Sequence, residues 1–210
     1  MRYSVEVHVS CPGDTLVLAM VNDDPIGRFF SLYERAKQIL PEADAMVLST
    51  VDADGWPSGR FVLLKSVDSR GFVFFTNLDS RKAQALHANP RAALCFYWPV
   101  ETQIRVEGTV ERVDDAEADQ YFATRQRESQ IGAWASIQSA PLASRQELDD
   151  RVAQIRTRFA NQPVPRPPFW SGFRVVPRSI EFWTRDPARL HERMIYQRQG
   201  DRWVRSLLNP

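Results

Sequence analysis

Residues 60–82 place two apolar runs, a short polar turn and two basic ends within one segment, RFVLLKSVDSRGFVFFTNLDSRK. Phe61–Val67 and Phe72–Thr76 are rich in Val, Leu and Phe, which is typical of strands. Asp68–Gly71 between the two runs has the composition of a tight turn. The segment therefore predicts a β-hairpin, which favours a fold built on a β-sheet.

A short helix is predicted directly after this hairpin. Ser80 is of a residue type that favours helix N-caps, RKAQALHA follows it, and Asn89-Pro90 ends the helix. Backbone N–H groups at the helix start, with Arg81 and Lys82 beside them, would form a phosphate site. The same residues also fit a capped surface helix with two solvated cations, and the local sequence does not separate these alternatives.

The rest of the chain lacks the regular strand–helix–strand order of a parallel sheet. Further strands are predicted at Met46–Val51, Ala92–Trp98, Gln103–Val113, Phe173–Val176, Ile180–Thr184, Arg189–Arg198 and Trp203–Leu207. Helices are predicted at Pro25–Leu40, from Asp114 to about Thr124, and at Ser144–Ala160. Gly108 is expected to mark a bulge or a close approach of two backbones. Short links between strands, without a GxGxxG or GxxxxGK[ST] motif, predict a mainly β, α+β protein with an antiparallel barrel or sandwich.

Composition excludes several classes of protein. The net charge of +1 gives no electrostatic reason to expect binding to nucleic acid or to an anionic membrane. Two cysteines give no disulfide framework, and three scattered histidines without HExxH or CxxC argue against a metal site. The longest apolar run near the start, Leu16–Val21, is too short for a signal sequence or a membrane span, so a cytoplasmic protein is expected. Residues 1–24 are interpreted as an N-terminal arm and residues 25–210 as one domain.

Three polar residues recur at a four-residue spacing in YFATRQRESQIGAWASIQS, residues 121–139. If this stretch is helical, Tyr121, Arg125 and Ser129 lie on one face. A phenol, a guanidinium and a hydroxyl on one face can hold a phosphate. The spacing is equally compatible with a solvated polar face on which Tyr121 is half-buried.

The strand predicted from RLHER onwards carries a row of cationic or titratable side chains. In a regular strand, Arg189, His191 and Arg193 point to one face. Such groups repel one another, so an anionic ligand would explain the row. A solvent-facing edge strand protected by arginine is the alternative.

Several of these segments together resemble a known family. The motifs RFVLLK, FFTNLDSRKA, YFATRQRESQIGAWAS followed by IQS, PPFWSGFRV and IEFWTRDPARLHERMIYQR resemble, in this order, those of the pyridoxamine 5′-phosphate oxidase family. The resemblance runs from about Ala45 to the C-terminus. It implies an FMN-binding split β-barrel of antiparallel Greek-key strands, and a homodimer with two flavin sites at the subunit interface.

The resemblance also implies a role for individual residues. FMN would be bound by Arg60, Phe61, Val62, Leu63, Leu64, Lys65, Phe75, Thr76, Arg81, Lys82, Gln103, Gln138, Ser139, Trp183 and Arg193. The substrate phosphate would be held by Lys65, Tyr121, Arg125 and Ser129, while Arg189 and His191 would contact the substrate as catalytic residues. Arg60 and Lys65 are five residues apart, so a regular strand would turn them to opposite faces. Either the strand bulges or Lys65 acts from beyond its end.

The implied activity is oxidation of pyridoxamine or pyridoxine 5′-phosphate to pyridoxal 5′-phosphate, with hydride loss from C4′ to flavin N5, O2 as acceptor and release of H2O2. Two alternatives remain: an oxidase of secondary metabolism of the phenazine type that acts on another ring, and a flavin or haem binder without oxidase activity. Gln126 stands where the family usually has Pro, and Thr102 where it usually has Arg. Residues 1–24 also lack the family's Arg-Arg-x-Tyr motif, which leaves the role of the arm open.

Overall fold

A computed structural model describes residues 24–98 and 102–210. Its helices are α1 (Pro25–Lys37), α2 (Arg81–Ala88), α3 (Asp115–Thr124), α4 (Arg127–Ala135) and α5 (Arg145–Arg158). Its strands are β1 (Ala45–Val51), β2 (Pro57–Leu63), β3 (Ser66–Asp68), β4 (Gly71–Asn77), β5 (Arg91–Trp98), β6 (Thr102–Arg112), β7 (Trp170–Thr184), β8 (Glu192–Gln199) and β9 (Arg202–Leu208). Apart from Asp24, the predicted N-terminal arm lies outside the described residues.

The described strands form one sheet of nine, and each pairing between them is antiparallel. The order along the sheet is β2-β1-β5-β6-β7-β4-β3, with β8 beside β7 and β9 beside β8. Strand β7 is shared: its first half pairs with β4 and its second half with β8, while β6 follows it on the other side. The prediction of a mainly β, antiparallel fold is confirmed. None of the helices in the described part of the chain is long and apolar enough to cross a bilayer.

Strand β7 is bent by a bulge opposite Gly108. The two strands predicted at Phe173–Val176 and Ile180–Thr184 are one continuous strand, so that prediction is wrong. Gly108 pairs with Pro177 whereas Glu107 pairs with Ser179, so one residue is extra on β7. A Cβ on Gly108 would lie 2.0 Å from the carbonyl oxygen of Val176. Both expectations for Gly108, a bulge and a close backbone approach, are therefore confirmed.

The main core lies between the sheet and α1. Asp24 begins α1 by accepting hydrogen bonds from the N–H groups of Ile26 and Gly27, both at 3.0 Å. Phe29 is fully buried and makes edge-to-face contacts with Phe72 and Phe96, at centroid distances of 4.9 and 5.1 Å. Truncating such a ring to alanine typically costs about 3–5 kcal/mol, so the helix is anchored mainly by this face.

The predicted hairpin is present, but its first strand is not continuous. Strand β2 ends at Leu63 and pairs with β1, and β3 begins at Ser66 and pairs with β4. The single strand predicted at Phe61–Val67 is therefore wrong, because the backbone crosses here from one strand pair to the other. Lys65 lies beyond the end of β2, which is the position that one of the two options for it requires, and its role stays a prediction. The turn itself is held by Asp68, whose Oδ1 accepts from the N–H groups of Arg70 and Gly71 at 2.8 and 3.3 Å.

Helices α3, α4 and α5 cover the sheet beside β4 and β7. The predicted capping box at the start of α5 is confirmed in one of its two bonds: the Ser144 hydroxyl accepts from the N–H of Glu147 at 3.2 Å, whereas the Glu147 carboxylate accepts from the N–H of Ala143 instead of Ser144, also at 3.2 Å. A second apolar cluster, with Phe122, Ile131, Phe159, Val164 and Trp170 at its centre, joins these helices to the start of β7. This cluster places α3 and α4 along one side of a cleft.

Candidate cofactor and substrate site

A cleft of about 680 Å³ opens between the end of β2, strand β4 and helices α3 and α4. Eleven of the residues predicted from the family resemblance line it: Phe61, Val62, Leu63, Lys65, Phe75, Thr76, Lys82, Tyr121, Arg125, Ser129 and Gln138. Sequence reasoning missed Asn77, Gly132, Ala133, Ser136 and Trp170, which also line it. Trp170 lies within PPFWSGFRV, so the motif was the signal that could have found it. The volume is in the range of small-molecule sites.

One end of the cleft gathers polar groups around Lys82. Its Nζ lies 3.0 Å from the Thr76 hydroxyl, 3.1 Å from the Ser80 hydroxyl and 2.6 Å from Oε1 of Gln138. The backbone N–H of Arg81 donates to the Ser139 hydroxyl at 3.2 Å. The loop after α4 is thus joined directly to the start of α2. We call Arg60, Arg81 and Lys82, with these partners, the cationic corner.

The cationic corner contains more positive charge than its acidic groups balance. Burial, and then the neighbouring Arg60, lower the pKa of Lys82 to about 8. The pKa of Arg60 is lowered by its own burial and by Arg81. Among the described residues, the carboxylate paired with this group is Asp52, at 3.7 Å from Arg81. Burial and a neighbouring cation thus disfavour the charge on Lys82 and on Arg60, and a bound phosphate would stabilise both charges.

Ser80 occupies the N-cap position of α2 but does not cap it. Its backbone is extended, yet its hydroxyl donates to the carbonyl of Asn77 at 2.7 Å and accepts from Lys82. The prediction of Ser80 as the N-cap residue is confirmed, but its hydroxyl makes no capping hydrogen bond, because it binds the preceding turn and the lysine. Lys82 is half-buried and bonded to three side-chain oxygens, so it is not a freely solvated cation, whereas Arg81 is exposed.

The other end of the cleft is formed by Tyr121, Arg125 and Ser129. The stretch Tyr121–Ser139 is not one continuous helix: α3 ends at Thr124, as predicted, and Arg125 has an extended backbone with ψ of 146°. The chain turns there, and α4 starts at Arg127 with Gln126 in the N-cap position without a side-chain cap. All three residues nevertheless line the cleft, because the corner between the helices brings them together.

Arg125 is a half-buried cation without a full set of partners. Its guanidinium lies over the ring of Trp170, 4.9 Å from the centroid, and its buried Nη1 has no hydrogen-bond partner. Burial lowers the pKa of Arg125. The rings of Phe75 and Tyr121 stack at 4.1 Å beside it. Lys65, in contrast, is paired with Asp44 at 2.8 Å.

A second group of predicted residues lies on β6, β7 and β8, outside the cleft. Trp183 is paired with Gln103 on one side and with Arg193 on the other. Trp183 and the cleft residue Trp170 are thirteen residues apart on β7. At about 3.3 Å per residue, this separates them by up to about 40 Å along the strand. We call Gln103, Trp183, His191 and Arg193 the Trp183 cluster.

Charge pairs hold the Trp183 cluster in place. Nε of Arg193 donates to Oε1 of the buried Glu181 at 2.7 Å, and its Nη1 donates to the carbonyl of Asn209 at 3.1 Å. The hydrogen bond with Glu181 raises the pKa of Arg193. Glu181 also binds Arg105 at 3.1 Å. Arg193 is thereby fixed beside the ring of Trp183.

Arg189 and His191 lie in a turn rather than in a strand. Strand β8 begins only at Glu192, and Arg189 has a left-handed backbone with φ of 67°. The predicted strand from Arg189, with Arg189, His191 and Arg193 on one face, is therefore wrong. The ring of His191 nevertheless lies 4.6 Å from that of Trp183, and its Nδ1 accepts from the backbone N–H of Asp186 at 3.1 Å.

The other residues singled out from the sequence lie at the following places. Leu64 is buried in the main core, and Thr102 is buried at the start of β6. Ser139 has a left-handed backbone with φ of 74°, which turns its hydroxyl to the start of α2. Among the described residues, no group of three His, Cys, Asp or Glu is arranged to hold a metal ion.

Comparison with protein-family models gives two matches. Residues 32–159 match the model described as pyridoxamine 5′-phosphate oxidase, and residues 170–210 match that described as the pyridoxine 5′-phosphate oxidase C-terminal dimerisation region. A curated pyridoxine/pyridoxamine 5′-phosphate oxidase of Myxococcus xanthus is 56% identical over 209 residues, which are 99% of this chain and 95% of the relative. One of Anaeromyxobacter dehalogenans is also 56% identical, over 89% of this chain and 96% of the relative.

Two solved structures share the fold. PhzG from Burkholderia lata, in complex with tetrahydrophenazine-1-carboxylic acid, superposes with a TM-score of 0.80 at 30% identity, over 95% of this chain and 94% of that one. An FMN-binding, pyridoxamine 5′-phosphate oxidase-related protein from Nostoc punctiforme gives 0.71 at 18% identity, over 89% and 98%. The prediction of a split β-barrel is confirmed. From the matched models and the curated relatives together, the chain belongs to the pyridoxamine 5′-phosphate oxidase family.

Proposed function

We propose that the protein is an FMN-dependent oxidase that converts pyridoxamine or pyridoxine 5′-phosphate to pyridoxal 5′-phosphate, with O2 as acceptor and H2O2 as product. One observation carries the proposal: a single cleft has a cationic group at each of two places, Lys82 at one and Arg125 at the other. A flavin mononucleotide and a phosphorylated ring each bring one phosphate, and the cleft offers a separate site for each. The names of the curated relatives support the same activity.

The cationic corner is proposed to hold the phosphate of FMN. Arg81 and Lys82 would donate charge-assisted hydrogen bonds, and Gln138, now bonded to Lys82, would release that lysine or bind the phosphate ester itself. The remaining proposed FMN contacts from this chain come from Arg60–Lys65, Phe75, Thr76 and Ser139. When bound, FMN supplies hydride acceptance and reaction with O2.

Arg125, Ser129 and Tyr121 are proposed to bind the substrate phosphate, together with Lys65. The unpartnered Nη1 of Arg125 supports this role, because an anion would satisfy it. Tyr121 is held by its stack on Phe75, so its hydroxyl is a fixed donor rather than a mobile one. These contacts would orient the ring so that its reacting carbon faces the flavin.

Arg189 and His191 are proposed as the catalytic residues at the reacting end of the substrate. Because Nδ1 of His191 accepts from a backbone N–H, a neutral ring carries its proton on Nε2 and offers it as a donor. Arg189 is exposed and carries a positive charge, which would favour loss of the proton from the hydroxyl or amino group on C4′ as hydride leaves that carbon.

The active site is proposed to form between two copies of the chain. The Trp183 cluster lies outside the cleft of its own chain, and Trp183, His191 and Arg193 fall within the segment that matches the family's dimerisation region. Large apolar side chains are exposed in the described chain, including Trp56 at 70%, Phe61 at 76% and Leu207 at 70%. A homodimer would cover such surface and bring the Trp183 cluster of one chain to the cleft of the other. Light scattering should give a dimer, and a flavin-loaded monomer at micromolar concentration would contradict this.

The activity is tested with purified protein, both phosphorylated vitamers and unphosphorylated pyridoxine, with peroxide release as the measurement. We expect peroxide with the phosphorylated compounds and at least a tenfold lower kcat/KM with pyridoxine, because the Arg125 end then lacks its anion. Turnover of unphosphorylated or phenazine-type rings alone would favour the PhzG-like alternative. Bound FMN without peroxide from any of these compounds would favour a flavin protein that is not an oxidase.

A further inference from the structure

The turn Asp186–His191 connects β7 to β8 and is organised by one residue. Oδ1 of Asp186 accepts from the N–H of Ala188 at 2.8 Å and from the N–H of Leu190 at 3.4 Å. Its carbonyl oxygen accepts from the N–H of Arg189 at 3.1 Å. Its own N–H donates to Nδ1 of His191 at 3.1 Å. Four hydrogen bonds within this turn thus converge on Asp186.

Packing contributes little to the conformation of this turn. Arg185 and the residues from Pro187 to Leu190 are exposed, with Leu190 at 71%, whereas Asp186 is half-buried. Arg189 nevertheless adopts a left-handed backbone, which is uncommon for a residue with a side chain. Hydrogen bonds to Asp186 are therefore the contacts that hold the turn in this shape.

We propose that Asp186 is a positioning residue for the reaction. Its carboxylate holds the turn through the N–H groups of Ala188 and Leu190, and the turn in this shape keeps the backbone bonds of Asp186 to Arg189 and His191, which fix the direction of the Arg189 side chain and the ring orientation and tautomer of His191. The proposal rests on the proposed function, since it takes these two residues to face the substrate. It assigns to Asp186 no contact with substrate or cofactor. The family resemblance implied no role for this position.

The proposal predicts that the position of the acceptor oxygen of residue 186 matters for the turn and that its negative charge does not. Asn keeps an acceptor oxygen at the same place, so Asp186→Asn should preserve the turn. Ala removes the acceptor, and Glu keeps the charge but moves the acceptor by one methylene. We therefore expect Asp186→Ala and Asp186→Glu to behave alike and Asp186→Asn to behave like the wild type.

Steady-state and anaerobic flavin-reduction kinetics of the FMN-loaded protein give the first test. In Asp186→Ala and Asp186→Glu, kcat should fall roughly ten- to a hundredfold, with KM changing less, because misplacement of reacting groups lowers the rate at saturation. Asp201→Ala, an exposed carboxylate in the turn between β8 and β9, is the matched control and should leave both constants unchanged. A kcat within twofold of wild type in Asp186→Ala, or in Asp186→Glu, overturns the proposal.

A second readout does not depend on activity. Proton–nitrogen correlation spectra of 15N-histidine-labelled protein should show His191 with its proton on Nε2, and the signal is assigned with His191→Gln. Asp186→Ala should shift this signal towards a mixture of tautomers, while Asp186→Asn should not. An unchanged His191 signal in Asp186→Ala overturns the positioning role even when the oxidase activity is confirmed. Lack of oxidase activity in the wild type, with the expected shift present, instead overturns the proposed function alone.

Discussion

Arg125 and Lys82 are both removed from solvent in part, and neither has an acidic partner among the described residues that would explain its burial. Burial lowers the pKa of each, which is a cost to folding unless the charge is used. Nη1 of Arg125 lacks a partner, and Lys82 is bonded only to neutral oxygens. At the scale of single residues, these are the features that distinguish a phosphate-binding cleft from an ordinary groove.

Affinity for FMN should depend on the protonation of Lys82. In the free protein its pKa is about 8, and a bound phosphate favours the charged form and raises that pKa. The affinity for FMN should therefore not depend on Lys82 protonation below pH 8, where the lysine is already charged. Above pH 8 the neutral lysine must take up a proton when FMN binds, so the affinity falls by up to about tenfold per pH unit. Titrations by flavin fluorescence from pH 7 to 10 measure this. In Lys82→Arg the fall should disappear, and a flat profile in the wild type would contradict the assignment.

Loss of Arg125 should act mainly on substrate binding. A hydrogen bond to a charged group contributes about 1.5–3 kcal/mol, so Arg125→Ala should raise KM for pyridoxine 5′-phosphate roughly ten- to a hundredfold, with a smaller fall in kcat. Arg145→Ala is the control, because Arg145 forms an exposed ion pair with Asp149 on α5. Steady-state peroxide release measures both constants. An unchanged KM would show that the phosphate binds elsewhere.

Much of the cleft could be predicted from the sequence because its residues sit in motifs. The sequence motifs predict Lys82, Arg125 and Gln138 as site residues, and all three line one cleft. The backbone of Arg189 could not be predicted in this way, since its left-handed φ follows from hydrogen bonds to Asp186 rather than from its own residue type. The partner of Lys65, Asp44, lies 21 residues earlier, and such a pairing has no local signal.

At the scale of elements, the bent strand β7 connects the cleft to the Trp183 cluster of the same chain. Its first half supplies Trp170 to the cleft and its second half supplies Trp183 to the other cluster. The sequence predicted two strands here because Pro177 and Arg178 interrupt the apolar pattern. The bulge opposite Gly108 accommodates the extra residue, so the strand continues through Pro177 and Arg178. Local propensity could not predict this continuation, because the bulge depends on the facing strand β6. The split of the predicted hairpin likewise depends on distant backbone partners: the N–H of Leu64 donates to the carbonyl of Asp44, and the N–H of Lys65 donates to the carbonyl of Val73.

Substitution of Gly108 should destabilise the whole sheet. A Cβ there would lie 2.0 Å from the backbone oxygen of Val176, so Gly108→Ala must displace β7 and should cost about 1–3 kcal/mol or more. Gly59→Ala is the matched control in another strand, since the nearest atom to its Cβ would be a Val47 methyl at 3.6 Å. Chemical denaturation gives the two free energies of unfolding. Equal stability of both variants would show that the close approach of β6 and β7 is wrong.

Arg174 joins the hairpin to α3 from within β7. Its side chain is 2% exposed and binds Asp68 at 2.9 Å and both carboxylate oxygens of Glu117 at 2.9 Å. Arg174→Met would leave two carboxylates without their buried cation, so we expect a loss of about 3–5 kcal/mol in the free energy of unfolding. The exposed Arg178 on the same strand provides the control, Arg178→Met, with a change near zero. A loss below about 1 kcal/mol for Arg174→Met would contradict the buried network.

At the scale of the whole molecule, one chain carries two separate groups of proposed site residues. Lys82 of the cationic corner and Arg125 line the cleft, whereas the Trp183 cluster lies at the other half of β7. The distance between these two groups could not be predicted from the sequence. The motifs that contain both groups occur in one chain, and the distance between the groups depends on the length of β7. The division into an arm at residues 1–24 and one domain at residues 25–210 stays a prediction.

In the proposed homodimer, each active site combines the cleft of one chain with the Trp183 cluster of the other. Mixed dimers of two double variants test this arrangement. The variant with Lys82→Ala and Arg125→Ala has an inactive cleft, and the variant with His191→Ala and Arg193→Ala has an inactive Trp183 cluster. Each variant alone should be nearly inactive. After co-refolding at equal amounts, half of the dimers are mixed and each has one intact site, so about a quarter of wild-type peroxide release should return. No recovery, with mixed dimers shown to form by differential tags, would contradict a site shared between chains.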